Sequence, residues 1–401
     1  MMLPKRIITK RRFTYLMSIL FFAMLYACVE PYEFKSETYE KLLVIEGTLT
    51  NELKYQEIFL SSVYRIDVDT LLPESNANVQ VIDDNQNTYE FLETDAGKYV
   101  SAEEFSISAN RKYHLEITTA EGRAYSSEEE MLPPNDAVMS DLYAERAVNN
   151  RGVEGVAIYS SSTNASNTGV SFYKYTYKET YKIVSPFTSN RDLIFENGRF
   201  ELVPKTREEE ICYNTRRSNE ILLADTGALS QNEISNYLIK FYEIDDFAIQ
   251  NRYSILASQI SINQDAYDYY ETLKELSGSE SIFSQNQPGF IRGNIVSLED
   301  PDEKVIGNFN LGKVSSKRIF FNFTDFFNLA EKPDATRFCE ITRPKVLALT
   351  NLVIENQVKF YAETFGAVAD EEGEGPYRVV PRLCIDCTVF GTNIKPEFWI
   401  E

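Results

Sequence analysis

The sequence predicts a mainly β protein, with an N-terminal β-sandwich followed by a larger β-rich domain that carries one or two helices. Two observations support this prediction. Short runs in which apolar and polar residues alternate recur along most of the chain, and this is the period of a half-buried strand. Gly, Pro, Asn and Asp cluster between these runs, as they do in turns. By contrast, a clear helical period occurs in one segment only.

The first 27 residues are predicted to be a lipoprotein signal peptide. Five basic residues precede an apolar run, Phe13 to Ala27, which is too short for a comfortable membrane span. The run ends in "LYAC", which resembles the lipobox of bacterial lipoproteins and makes Cys28 the lipidated N-terminus. Two or more acyl chains anchor a protein stably where one chain is marginal. An ordinary secretory signal with an incidental cysteine is the alternative.

Residues 28–39 would then be a lipidated tether that holds the exported chain at the outer membrane. Glu30 and Glu33 closely follow Cys28, and acidic residues at this place resemble a signal for transfer to the cell surface in Bacteroidota. We therefore favour an anchor on the cell surface over one on the periplasmic face of the outer membrane. The alternative is that Glu30 and Glu33 only belong to a short solvated tether and carry no sorting signal. The formal net charge of −21 argues against nucleic acid or anionic lipid as a partner.

Residues 40–133 carry the strands of the predicted sandwich. "KLLVIEGTLT" is a strong β run, and Val79 and Val81 alternate with polar residues before "DDNQN", a polar hairpin turn. Tyr89 and Phe91 resume the alternation after that turn. The succession of strands resembles transthyretin-like and carboxypeptidase-regulatory-like sandwiches, which implies a fold but no functional site.

Residues 134–401 are predicted to form the larger β-rich domain. In "TGVSFYKYTYKETYKIV", tyrosines at positions 173, 175, 177 and 181 share one face of a strand, and Glu179 occupies the gap. Such a stripe is more often part of a core, or of the exposed face of a broad sheet, than a ligand platform. If the chain binds a ligand, Tyr173, Tyr175 and Tyr177 are the candidate contacts.

One helix is predicted near residues 264–277. Apolar residues from Ala266 to Leu276 fall on one helical face, Asn263 can cap the start and Gly278 can end it. The segment "SQNEISNYLIKFYEID" fits either a helix or a strand.

The cysteines that remain after lipidation are Cys212, Cys339, Cys384 and Cys387. An even number in an exported chain indicates two disulfides, with three possible connectivities. The C-x-x-C of the tail, residues 384–401, is followed by residues that favour an extended or turning segment, unlike a thioredoxin-type redox helix. A zinc site is the other alternative, but it needs paired cysteine knuckles. We expect the motif to staple the tail, without deciding which cysteines pair.

The single histidine, His114, lies in a predicted strand. This excludes HExxH and His-rich metal sites, and a Ser-His-Asp triad would have to use this one residue. A nucleophile elbow, a P-loop and a dinucleotide fingerprint are also missing from the sequence. We therefore expect no enzymatic activity, no catalytic residue, no cofactor and no metal. A glycosidase with paired carboxylates is the enzymatic alternative, because its geometry is spatial and invisible in sequence.

Several strings together resemble a Bacteroidota outer-membrane lipoprotein family catalogued as domain of unknown function 4249. They are "LLVIEGTLTNE", "ICYNTRRSNEILLADTGALS", "NRYSILASQISINQDAYDYYETLKEL", "QPGFIRGNIVSLEDPDEKVIGNFNLGKVSSKRIFF" and "CIDCTVFGTNIKPEFW". The resemblance implies a lipid-anchored accessory protein that partners a TonB-dependent receptor in substrate capture or admission. It supplies no catalytic residue. An envelope structural or assembly factor is the alternative, and a hydrolase of surface glycans is a third hypothesis.

Overall fold

The computed structural model describes residues 41–63, 71–135, 138–163, 169–229, 233–278, 292–363 and 375–401. The predicted signal peptide, Cys28 and the tether lie outside these residues. Within them the fold is mainly β, as the sequence predicts, with two α-helices: α1 (Gln264–Gly278) and α2 (Val346–Ile354). In chain order the strands are β1 (Leu42–Thr50), β2 (Glu57–Val63), β3 (Leu72–Pro73), β4 (Asn78–Asp83), β5 (Thr88–Asp95), β6 (Lys98–Ser101), β7 (Lys112–Thr118), β8 (Ala124–Ser127), β9 (Glu130–Met131), β10 (Val138–Val148), β11 (Glu154–Thr163), β12 (Phe172–Val184), β13 (Arg191–Glu196), β14 (Arg199–Pro204), β15 (Ile211–Arg217), β16 (Leu222–Asp225), β17 (Glu233–Glu243), β18 (Arg252–Ile262), β19 (Ile295–Ser297), β20 (Val305–Asn322), β21 (Val358–Glu363) and β22 (Tyr377–Pro381).

Fifteen of the described strands join in one sheet, the main sheet. Its order is β15-β12-β18-β20-β1-β2-β6-β5-β4-β7-β8-β19, with β16 beside β12, β3 beside β2 and β9 beside β7. The 18-residue strand β20 links the two parts of this sheet. Its first half runs parallel to β1, and its second half runs antiparallel to β18.

The N-terminal part takes strands from the later chain. Its core includes Ile295 from β19 and Val305, Phe309 and Leu311 from β20, besides the inward residues of β1 to β8. The region predicted over residues 40–133 is therefore completed by residues beyond the predicted boundary. Local periodicity cannot reveal such a pairing, because β1 and β20 are separated by most of the sequence. The two-layer sandwich itself stays a prediction.

A second core fills the space between the main sheet and a three-stranded sheet of order β10-β11-β17. The segment "SQNEISNYLIKFYEID", whose sequence fits either a helix or a strand, contains the strand β17. The predicted helix is confirmed as α1, which packs on the opposite face of the main sheet against Leu223, Ile260 and Ile262. The Asn263 amide does not cap this helix. Instead it donates to the carboxylate of Glu130 and to the carbonyl of Met131, both at 3.1 Å.

The C-terminal tail covers β15, the strand at one end of the main sheet. Tyr213 and Thr392 exchange backbone hydrogen bonds of 2.8 and 2.9 Å. A Cβ atom at Gly391 would lie 2.4 Å from the Tyr213 carbonyl oxygen, so this close approach requires glycine. Trp399 packs edge-on against Tyr213 and Phe320. The tail therefore occupies backbone groups that an open edge would offer to other chains.

Two disulfides hold the tail, as predicted. Cys212 pairs with Cys387, and Cys339 pairs with Cys384. Each cysteine of the C-x-x-C motif therefore reaches a different part of the chain. Between them they fasten the tail to β15 and to the segment that precedes α2.

Candidate docking surface

The tyrosines predicted as possible ligand contacts lie in the core. Tyr173, Tyr175 and Tyr177 are 1%, 1% and 5% exposed, because they face the three-stranded sheet across the second core. The stripe therefore packs two sheets together and offers no exposed platform to a ligand. Its burial depends on β10, β11 and β17, whose position over β12 is not visible in the local sequence.

Between Tyr177 and Tyr181 on β12, the position that faces the same side is occupied by Glu179, whose carboxylate is buried. Glu179 accepts hydrogen bonds from the hydroxyls of Tyr242 and Tyr253, the latter at 2.7 Å. Burial, together with the charge of Glu179, raises the pKa of both phenols, so both stay protonated and keep donating. This cluster joins β12, β17 and β18 inside the core and leaves no face for substrate.

Helix α2 presents an apolar face to solvent. The exposed fractions are 78% for Leu347, 64% for Ile354 and 58% for Val346. Leu347 and Ile354 are seven residues apart and so lie on the same side of the helix, with the exposed Asn351 between them. Leu349 is the one residue that this helix buries fully. We call Val346, Leu347 and Ile354 the α2 surface.

Helix α2 packs on two β-hairpins, β13-β14 and β21-β22, and forms a small module with them. Leu349 packs with Leu193, Phe360 and Val379 in the core of this module. Because α2 contacts that core through its inner face only, the residues of the α2 surface take no part in its packing. Its apolar character needs another explanation.

Buried ion pairs fix the module to the body of the protein. Glu209, whose side chain is 2% exposed, contacts Lys205 at 2.7 Å, Arg207 at 2.9 Å and Lys359 of β21 at 3.1 Å. Burial acts to raise the pKa of Glu209, but hydrogen bonds from the three cations outweigh it and lower the pKa. The Cys339–Cys384 disulfide adds a covalent link. The α2 surface is therefore held on a rigid base.

The segment that leads into α2 extends this surface and carries positive charge. Phe338 is 72% exposed, and the Arg337 guanidinium lies 4.4 Å from the centre of its ring. Residues 337–345 contain three basic side chains and one acidic one, in a chain whose net charge is −21. An apolar centre with arginine at its border is typical of protein interfaces.

Sequence reasoning missed this surface. The run "VLALTNLVI" has two polar residues, Thr350 and Asn351, and no charged one, unlike the charged face of a typical solvent-exposed helix. A short helix that is so largely apolar indicates either a core or an interface, and that signal could have identified the surface. Among the described residues, no helix has the length and apolar character needed to cross a membrane.

Comparison with known proteins places the chain in a family. Residues 29–318 match the family model described as Domain of unknown function (DUF4249). The chain belongs to the DUF4249 family. The match covers more than half of the chain and ends inside β20, so α2 and the tail lie beyond the matched DUF4249 region. The resemblance predicted from the sequence is confirmed at the level of this family.

Other comparisons add little to the DUF4249 assignment. No curated protein matches the chain. Among solved structures, the chain is similar to the major pilin protein (T-13) from Streptococcus pyogenes serotype GAS131465 at 6% identity, over 70% of this chain and 97% of that chain. The TM-score of 0.08 is too low to carry an argument.

Proposed function

We propose that this protein is a lipid-anchored, non-enzymatic accessory protein of the outer membrane. In this proposal it docks onto a TonB-dependent transporter through the α2 surface and helps to capture or admit a substrate. The observation that carries the proposal is the set of exposed apolar side chains on α2, on a module that a disulfide and buried ion pairs hold in place.

Physical reasoning supports an interface at α2. Covering a large aliphatic side chain stabilises a complex by about 1.5–3 kcal/mol, and soluble proteins rarely keep exposed apolar clusters without a partner. The positive charge of residues 337–345 favours a partner face that is apolar with an acidic border. A lipid anchor at Cys28 would hold both proteins in one membrane, and this raises the effective concentration of a small contact.

A pull-down from mildly solubilised outer membranes tests the proposal. The tagged wild-type protein should recover a β-barrel transporter, and Leu347→Glu should reduce that recovery about tenfold, because a carboxylate would be buried in the interface. Leu53→Glu is the matched control, since Leu53 is 71% exposed and lies in the N-terminal part. It should recover the transporter as the wild type does.

Two outcomes would contradict the proposal. One is that the wild-type protein recovers no barrel protein. The other is that Leu347→Glu and Leu53→Glu recover the same barrel equally. Growth of a deletion strain separates the alternatives: loss of growth on one nutrient fits transport, whereas broad damage to the outer membrane fits an assembly factor.

A further inference from the structure

A row of four residues, three of them basic, crosses the main sheet on the face that points away from the second core. Successive cross-strand partners on β15, β12, β18 and β20 form this basic row: Arg217, Lys178, Leu256 and Arg318. Cross-strand partners point to the same side of a sheet. Tyr177, the residue before Lys178, faces the second core, so the basic row faces the opposite side.

The basic row forms the floor of an open trough. Its residues are exposed or half-buried. The tail lies along one side, where Trp399 packs against Phe320, and α1 lies along the other, where it packs against Ile260. At the β15 end, Glu57 of β2 contacts Arg217 at 2.8 Å. We call this space the basic trough.

Arg318 is a half-buried cation whose charge has no counter-charge among the described residues. Its guanidinium donates to the Ser254 hydroxyl at 3.1 Å and lies 3.7 Å from the centre of the Phe398 ring. Burial lowers the pKa of Arg318, because no carboxylate of the described chain offsets the loss of hydration. A guanidinium has five N–H donors, so most of them remain available to a ligand.

Lys178 is the second unpaired cation of the trough. It is exposed, and within the described part of the chain its ammonium group has neither an ion pair nor a hydrogen bond. Ser254 lies on β18, between β20 and β12, so its hydrogen bond leans Arg318 towards Lys178. The two backbones are about 10 Å apart, the width of two strand spacings. Both long side chains can therefore reach one anion above Leu256.

Other cations on this face of the sheet are paired with carboxylates. Arg217 contacts Glu57 at 2.8 Å, and Lys182 contacts Glu401 at 3.0 Å. The chain has 61 acidic residues against 40 basic ones, so carboxylates are in excess. Two neighbouring cations left without a carboxylate create a local positive potential in an acidic protein, and such a potential attracts an anion.

We propose that the basic trough binds a small molecule through a carboxylate, phosphate or sulfate group held between Lys178 and Arg318. These groups share the charged oxygens that guanidinium and ammonium groups recognise. The hydroxyls of Ser258 and Ser316, which are 2.8 Å apart beside the row, can bond to the polar remainder of the ligand. The inference goes beyond the proposed function, because the trough shares no residue with the α2 surface and its binding requires no transporter.

Binding to the full-length protein in nonionic detergent micelles and low-salt buffer tests this site. The anionic probes are inorganic phosphate, sulfate and galacturonate, with galactose as the neutral counterpart of galacturonate and calorimetry or ligand-observed NMR as the readout. At least one anionic probe should bind the wild type with a Kd of about 10 mM or tighter. Comparing galacturonate with the two inorganic ions shows whether the trough prefers a carboxylate or a free inorganic anion.

Variants place the binding in the trough. Lys178→Gln and Arg318→Gln should each weaken the binding about tenfold, because each removes a charged hydrogen-bond donor. Lys345→Gln is the matched control: it changes the net charge equally at an exposed position before α2, and it should leave the affinity unchanged. Should Arg318→Gln release the tail, seen as a shift of the Trp399 emission, the exposed Lys178 decides alone.

Four results would overturn the proposal. The first is that no anionic probe binds the wild type. The second is that galactose binds as tightly as the anionic probes, since charge would then not be recognised. The third is that Lys178→Gln keeps the wild-type affinity. The fourth is that Lys345→Gln weakens binding as much as Lys178→Gln does, because the effect would then come from net charge alone.

Discussion

Asp83 shows how a single buried carboxylate stabilises the hairpin between β4 and β5. It accepts hydrogen bonds from the backbone amides of Asn85 and Asn87, both at 2.9 Å, and from Arg111 at 2.7 Å. Burial acts to raise its pKa, but these hydrogen bonds, with that of the Asn87 side chain, lower the pKa to about 2. The "DDNQN" turn was predictable from sequence. The Arg111 pairing was not, because its partner lies on another loop.

This pKa predicts a specific dependence of stability on pH. The carboxyl of the unfolded chain keeps a pKa of 3.8, so the unfolded state binds a proton first as the pH falls. The stabilisation by Asp83 is complete above about pH 5 and declines as the pH falls from about 4 towards 2. Urea unfolding should show the stability difference between wild type and Asp83→Asn shrinking over that range.

A control comes from the same hairpin. Asp95 is exposed at the end of β5, and Asp95→Asn should change stability by less than about 0.5 kcal/mol at each pH. A wild-type advantage over Asp83→Asn that stays constant between pH 6 and pH 2.5 would show that the Asp83 charge does not stabilise the hairpin.

At the scale of elements, the tail is held by one close backbone approach as well as by its disulfides. Gly391→Ala would place a methyl group against the Tyr213 carbonyl, and overpacking of this kind costs about 1–3 kcal/mol. We expect the tail to separate from β15 locally. Trp399 is the only tryptophan and is 4% exposed, so its fluorescence emission should move to longer wavelength.

Ile394→Ala is the control for that measurement. Ile394 is 72% exposed on the same tail, so its truncation should leave the emission unchanged. Hydrogen exchange at the Tyr213 amide should become faster in Gly391→Ala only. Identical emission and exchange in wild type and Gly391→Ala would refute the view that this approach holds the tail.

Elements with a local period were predictable, and elements without one were not. Helix α1 follows from apolar residues on one face, and the β4-β5 hairpin follows from alternation on both sides of a polar turn. Helix α2 has no charged residue to mark an outer face, and the tail has no period at all. Both depend on contacts with distant residues: α2 with the hairpins beneath it, and the tail with β15 and its disulfide partners.

At the scale of the whole molecule, the long strand β20 joins the two parts of the main sheet. Its 18 residues contribute to both large cores, next to β1 in one and β18 in the other. The sequence predicts strands in both regions but contains no local sign that one strand serves both. For the same reason the sequence places the tyrosine stripe on a strand but does not show that the three-stranded sheet covers it.

The two disulfides also stabilise the molecule as a whole, and they join cysteines at very different separations in the sequence. The sequence separations are 175 residues for Cys212–Cys387 and 45 residues for Cys339–Cys384. Cross-links of this kind restrict the unfolded chain, and native examples contribute about 2–5 kcal/mol each. They persist in oxidising compartments, as would be expected if residues 1–27 act as the proposed signal peptide.

We propose that the chain is exported, oxidised and anchored by lipid at Cys28. Mass spectrometry of the unreduced protein, purified from the membranes of its source bacterium, tests this most directly. We expect an N-terminal peptide that begins at Cys28 and carries a diacylglycerol, together with linked peptides for Cys212–Cys387 and Cys339–Cys384. An unmodified N-terminus at Met1 with free thiols, recovered from the soluble fraction, would contradict the account.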